Sequence, residues 1–193
     1  MGMKTAEDVL LEKVKVIARL YGVTDSGEGL TIVTREDLLE KIRETFPRAE
    51  ILLFNNLGRL KLKNSKVVVV FGTPEVEKDD VIEKAEELLP EADFTVEEVR
   101  ELDCLRRCSL GFYLDCLYTG SFLQRLYVML AVEEIRRVVT AMIGEVREVY
   151  VYVSRSPVEE NILEIPKVKT CPNVYLVNVC DTGWSLKTLS LFD

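Results

Sequence analysis

Val67-Val-Val-Val-Phe71-Gly72-Thr73-Pro74 is the stretch that decides the fold class. Five consecutive apolar residues, four of them β-branched, end in a Gly and a Pro. The run is too short for a helix and rich in strand formers. It is apolar on both faces, as in a central strand of a parallel sheet covered by helices on each side. Working outward, Leu30–Val33, Ile51–Phe54, Arg59–Lys63, Glu148–Val153 and Val174–Val179 read as further strands. Helices are expected over 6–21, 35–46, 75–89 and, longest, 121–143.

Helix starts are clearly written. A hydroxyl at the N-cap with a carboxylate or amide three residues on satisfies two backbone donors reciprocally. Thr5…Asp8, Thr34…Asp37, Thr95…Glu98, Ser121…Gln124 and Ser156…Glu159 fit that pattern, and Pro74 and Pro157 follow Thr73 and Ser156 as first-turn prolines would. Asn55–Gly58 predicts a hairpin turn between Ile51–Phe54 and Arg59–Lys63. The alternation of strands and helices implies an α/β fold: a three-layer, mostly parallel sheet with helices on both faces and some antiparallel pairing near the hairpin at 51–63. With no internal repeat and no firm linker, residues 1–193 are expected to form one domain. The glycine-rich Gly22–Gly29 sets off helix 6–21 as a peripheral appendage. Within the long helix, Leu126–Val132 is apolar all round, so it is expected in the core or in a homodimer interface.

Composition excludes several function classes. There is no histidine among the 193 residues, which removes Ser-His-Asp and Cys-His nucleophiles and histidine-bearing zinc sites. A net charge of -8 argues against broad binding to nucleic acid or anionic membrane. A local basic strip at Arg59, Lys61 and Lys63 is the exception. No apolar run approaches the ~20 residues of a membrane span, and the expected location is cytoplasmic. One glutamine beside 23 glutamates and 12 lysines is a bias typical of hyperthermophile proteins.

In open α/β sheets ligands collect beyond the carboxyl ends of the strands. Those ends read Thr34-Arg35, Asn55-Asn56, Gly72-Thr73, Ser154-Arg155-Ser156 and Asp181-Thr182-Gly183. Thr73, Ser154, Arg155, Ser156 and Asp181 are the candidate contacts for a phosphate or nucleotide, because hydroxyls and a guanidinium suit an anion. No GxGxxG, GxxxxGK[ST] or GxSxG sequence occurs. Histidine-free phosphoryl transfer or nuclease chemistry would use carboxylates with Mg²⁺, for which Asp79, Asp80, Asp103, Asp115 and Asp181 are available.

The five cysteines, Cys104, Cys108, Cys116, Cys171 and Cys180, lack zinc-ribbon or ferredoxin spacing. Cys171 and Cys180 bracket a strand and would stand about 30 Å apart, beyond disulfide reach. Buried free thiols are the expectation, with a cross-pair of Cys108 or Cys116 to Cys171 or Cys180 geometrically open.

The tail Ser185-Leu-Lys-Thr-Leu-Ser-Leu-Phe-Asp193 carries Leu189 and Phe192 three apart, on one face of a helical turn. It resembles the C-terminal clamp-interacting peptides of the PCNA-binding kind, although Leu186 stands where glutamine is usual. The resemblance implies a non-catalytic accessory protein of DNA replication or repair, docking a sliding clamp through Leu189 and Phe192. The alternative reading is a Rossmann-like nucleotide- or phosphate-binding enzyme or sensor built on the strand ends.

Overall fold

The computed structural model describes residues 5–59, 65–72, 74–107, 120–142, 148–152, 174–177 and 187–188. The described helices are α1 (Ala6–Leu20), α2 (Leu39–Thr45), α3 (Lys78–Leu88), α4 (Val96–Arg107) and α5 (Phe122–Met142). The strands are β1 (Leu30–Thr34), β2 (Glu50–Leu53), β3 (Val67–Val70), β4 (Glu148–Tyr152), β5 (Val174–Val177) and β6 (Lys187–Thr188). They form one sheet in the order β2-β1-β3-β4-β5-β6. The first five run parallel, and β6 pairs antiparallel with β5 at the edge.

The valine run lies inside the sheet, between β1 and β4, and Val67, Val68, Val69 and Val70 are all fully buried. The register sets Ile32 opposite Ile51 on one side and Val69 on the other. Alternation then divides the side chains between two faces. Ile32, Val67 and Val69 join Leu10, Leu11, Val14 and Ile17 of α1 and Ile42 of α2 in one core cluster. Val33, Val68 and Val70 are equally buried on the opposite face. Helix α1 is therefore part of the core and not an appendage behind a weak linker. The intervening 22–29 turn is itself pinned, with the Arg48 amide donating to the Ser26 carbonyl at 2.8 Å.

Three capping boxes form as expected. Thr5 and Asp8 bond reciprocally, as do Thr95 with Glu98 and Ser121 with Gln124. The Thr34…Asp37 box does not form. The Thr34 hydroxyl donates instead to the Phe71 carbonyl at 3.0 Å, and the chain enters α2 through a 3₁₀ turn at Glu36–Leu38. Helix α3 starts at Lys78 with no side-chain cap at Glu77, later than Pro74 suggests, and Asp79 and Asp80 lie in its first turn.

The hairpin expectation is overturned. Among the described residues Phe54–Arg59 is a 3₁₀ segment and β2 pairs only with β1, in parallel, while residues 60–63 of the expected partner strand lie outside them. Asn55-Asn56 met the turn preference, but a parallel register needs a crossover and not a hairpin. Lys61 and Lys63 lie outside the described residues. Along α5, Leu126, Tyr127, Val128, Ala131 and Val132 are buried while Met129 is 57% exposed, so the all-round apolar segment is core helix with one face open. No helix among the described residues is long and apolar enough to cross a membrane.

Candidate functional site at the carboxyl ends of β1 and β3

The strand order reverses between β1 and β3. The chain leaves β1 toward β2 on one side, and leaves β3 toward β4 on the other. Diverging connections open a crevice at such a point, beyond the carboxyl ends of the two strands. The ends of the two strands are joined by two hydrogen bonds. The Thr34 hydroxyl donates to the Phe71 carbonyl at 3.0 Å, and the Phe71 amide donates to the Val33 carbonyl at 2.8 Å. Gly72 then turns the chain with φ +86°, a left-handed conformation that side-chain-bearing residues rarely adopt.

Arg35 follows directly on β1 and is buried, with 3% of its side-chain surface exposed. Burying a guanidinium requires a partner. Its Nε and one terminal nitrogen donate to the two carboxylate oxygens of Asp37 at 3.0 and 2.7 Å, a two-pronged fork. Asp37 is half exposed and lies in the short 3₁₀ turn, between the guanidinium and solvent. The result is a fixed buried cation whose anion position is filled by a carboxylate from the protein's own surface.

Of the residues expected to contact a ligand, Thr73, Ser154, Arg155, Ser156 and Asp181 lie outside the described residues. In the chain, Ser154 comes two residues after β4 and Asp181 four after β5, and both strands are parallel to β1 and β3. Leu189 and Phe192 also lie outside, one and four residues after β6 in the chain. Cys104 falls within α4, and the other four cysteines are outside. Asn55 and Asn56 are exposed in the 3₁₀ segment after β2. Among the described residues no group of three Asp, Glu or Cys side chains gathers in a way that would hold a metal ion.

Arg35 and Asp37 were readable only in part. The Thr34-Arg35 strand end is visible in sequence, but Asp37, three residues after Thr34, reads as a capping carboxylate, which masks its pairing with Arg35. A basic residue at a strand end with an acid two positions on was the available signal. Compared with protein-family models, with curated proteins and with solved structures, the chain shows no match.

Proposed function

We propose that the protein binds a phosphorylated small molecule or nucleotide at the carboxyl edge of β1 and β3, with Arg35 as the anion-binding group. The observation that carries this reading is the buried Arg35 fork closed by the half-exposed Asp37. Phosphate and carboxylate present oxygens to a guanidinium in the same two-pronged geometry, so a phosphate can take the place of Asp37. Asp37 then serves as a resident anion that swings toward solvent when ligand arrives.

The topology supports the location. With right-handed crossovers, the connection after β1 passes over one sheet face and the connection after β3 over the other, which gives the three-layer arrangement and the crevice together. Thr73, which follows Gly72, and Ser154, Arg155 and Ser156, which follow β4, supply the remaining ligand contacts in this proposal. A displaced Asp37 carboxylate and phosphate oxygens are hard ligands of the kind Mg²⁺ takes, so the metal would enter with a nucleotide.

Thermal melting with ATP, ADP and inorganic phosphate, each with and without Mg²⁺, tests the proposal. At least one of these should raise the melting temperature of the wild-type protein. Asp37→Asn should melt lower than wild type without ligand, because the buried cation loses its counter-charge, yet gain more from the ligand, because the competing anion is gone. Arg35→Lys should lose the gain, since an ammonium cannot form the fork. Failure of every compound to stabilise the wild type, or a smaller gain in Asp37→Asn in the arms without Mg²⁺, overturns the proposal.

A further inference from the structure

The two edges of the sheet are finished differently. At one end stands β6, only two residues long, pairing antiparallel with β5. At the other stands β2, which among the described residues pairs only with β1 and so presents a second row of backbone amides and carbonyls to no partner strand. Natural proteins protect such an edge with a charge, a proline, a bulge or a very short strand. Along β2 none of these stands at the edge. The strand is as long as the central β3, its register with β1 is unbroken, and it reads Ile51-Leu52-Leu53 after its first residue. Those three side chains are half-buried, where the residues of β1 and β3 are wholly buried. The one charged residue, Glu50, leans inward over the sheet: the Thr31 hydroxyl of β1 donates to its carboxylate at 3.3 Å.

Symmetry selects the occupant of this edge. A two-fold axis perpendicular to the sheet sets β2 antiparallel to a second copy of itself and continues the sheet across the axis. Such an axis keeps each face on its own side, so only residues of like face can stand opposite each other. Ile51 packs with the α1–α2 core, and Leu52, level with Val33 in the register, lies on the other face. Centring the pair on Leu52 sets Leu52 against Leu52 and Ile51 against Leu53, so every apolar residue of β2 meets another. Centring it on Ile51 brings Glu50 against Leu52, and centring it on Leu53 brings Ile51 against Asn55. We propose that β2 is a homodimer interface, pairing antiparallel with a second copy of the chain and with Leu52 on the axis. The match of the strand to itself favours a second copy over an unrelated extended segment. Because each chain carries one such edge, the contact closes at two copies.

Sedimentation equilibrium of the full chain over a concentration series tests the proposal. The wild type should reach twice the chain mass. Leu52→Lys and Leu52→Glu each set two like charges against one another on the axis, so each alone should be a monomer. Their equimolar mixture should regain the dimer, because opposite charges then meet at the same point. Rescue by mixing is a result that a merely misfolded variant does not give. A monomeric wild type, a dimer that survives in both variants, or a mixture of the folded variants that stays monomeric overturns the proposal. Should either variant fail to fold, amide hydrogen exchange of the wild type reads the same edge without a substitution. Amides of Glu50–Leu53 should exchange more slowly as concentration rises through the dimer transition, and exchange that is independent of concentration overturns the proposal.

Discussion

A buried guanidinium has a high desolvation cost, and at Arg35 that cost is offset by a carboxylate that itself reaches solvent. This asymmetry makes the pair exchangeable, which a pair buried on both sides would not be. A second carboxylate, Asp8, illustrates a purely structural use of the same chemistry. Lys41 of α2 donates to its side chain, and the Thr5 amide and hydroxyl add two more hydrogen bonds, so its pKa is lowered from 3.8 to about 2. The native state therefore binds the proton less readily than the unfolded chain. The stabilisation is present in full above the unfolded value and is lost as pH falls from about 4 toward 2. Urea midpoints measured across that window should fall with pH in the wild type and fall less steeply in Asp8→Asn; parallel profiles would remove the Lys41 contact from the folded state. Gly27 is the other residue with a sharp expectation. At φ +91° a Cβ would stand 3.0 Å from the Cβ atoms of Phe46 and Ala49 and 3.1 Å from the Ala49 amide nitrogen. Gly27→Ala should destabilise by more than about 1 kcal/mol in denaturant unfolding, since both the backbone conformation and the space are against it.

At the scale of elements, α5 is the one whose two faces predict opposite outcomes. Ile135 is 1% exposed and Met129 57%. Ile135→Ala should cost about 2–5 kcal/mol, while Met129→Ser should stay within about 0.5 kcal/mol, both read from chemical denaturation. Comparable losses at the two positions would mean that Met129 is packed. The long helix, the valine strand and three of the caps were legible because each rests on a local pattern: apolar periodicity, a β-branched run, or a hydroxyl and an acid three apart. Thr34 shows where local patterns end. Its hydroxyl could cap a helix or reach a neighbouring strand, and only the β1–β3 register brings the Phe71 carbonyl within 3.0 Å. Once Thr34 bonds across the sheet, Asp37 is released to Arg35, so the candidate site depends on a long-range pairing that no window of sequence contains. The 51–63 hairpin failed for the same reason. Turn residues at 55–58 announce a change of direction, but pairing with β1 decides what that change is for.

For the molecule as a whole, the parallel order β2-β1-β3-β4-β5 places the carboxyl ends of five strands on one side of the sheet. The acidic α3–α4 segment, with eleven Asp and Glu against five Lys and Arg over residues 78–107, follows β3 in the chain. The order of strands was not legible from sequence beyond a central Val67–Val70, because strands equally rich in Val and Tyr leave several orders open. The buried cation at the β1–β3 divide is the feature that ties topology to the proposed binding. Amide chemical-shift mapping of the ¹⁵N-labelled protein, titrated with inorganic phosphate and with ATP plus Mg²⁺, tests that tie most directly. Saturable shifts centred on Arg35, Asp37 and Gly72, and absent in Arg35→Lys, are the predicted result; saturable shifts that leave these residues unmoved, or no saturable shifts at all, would contradict it.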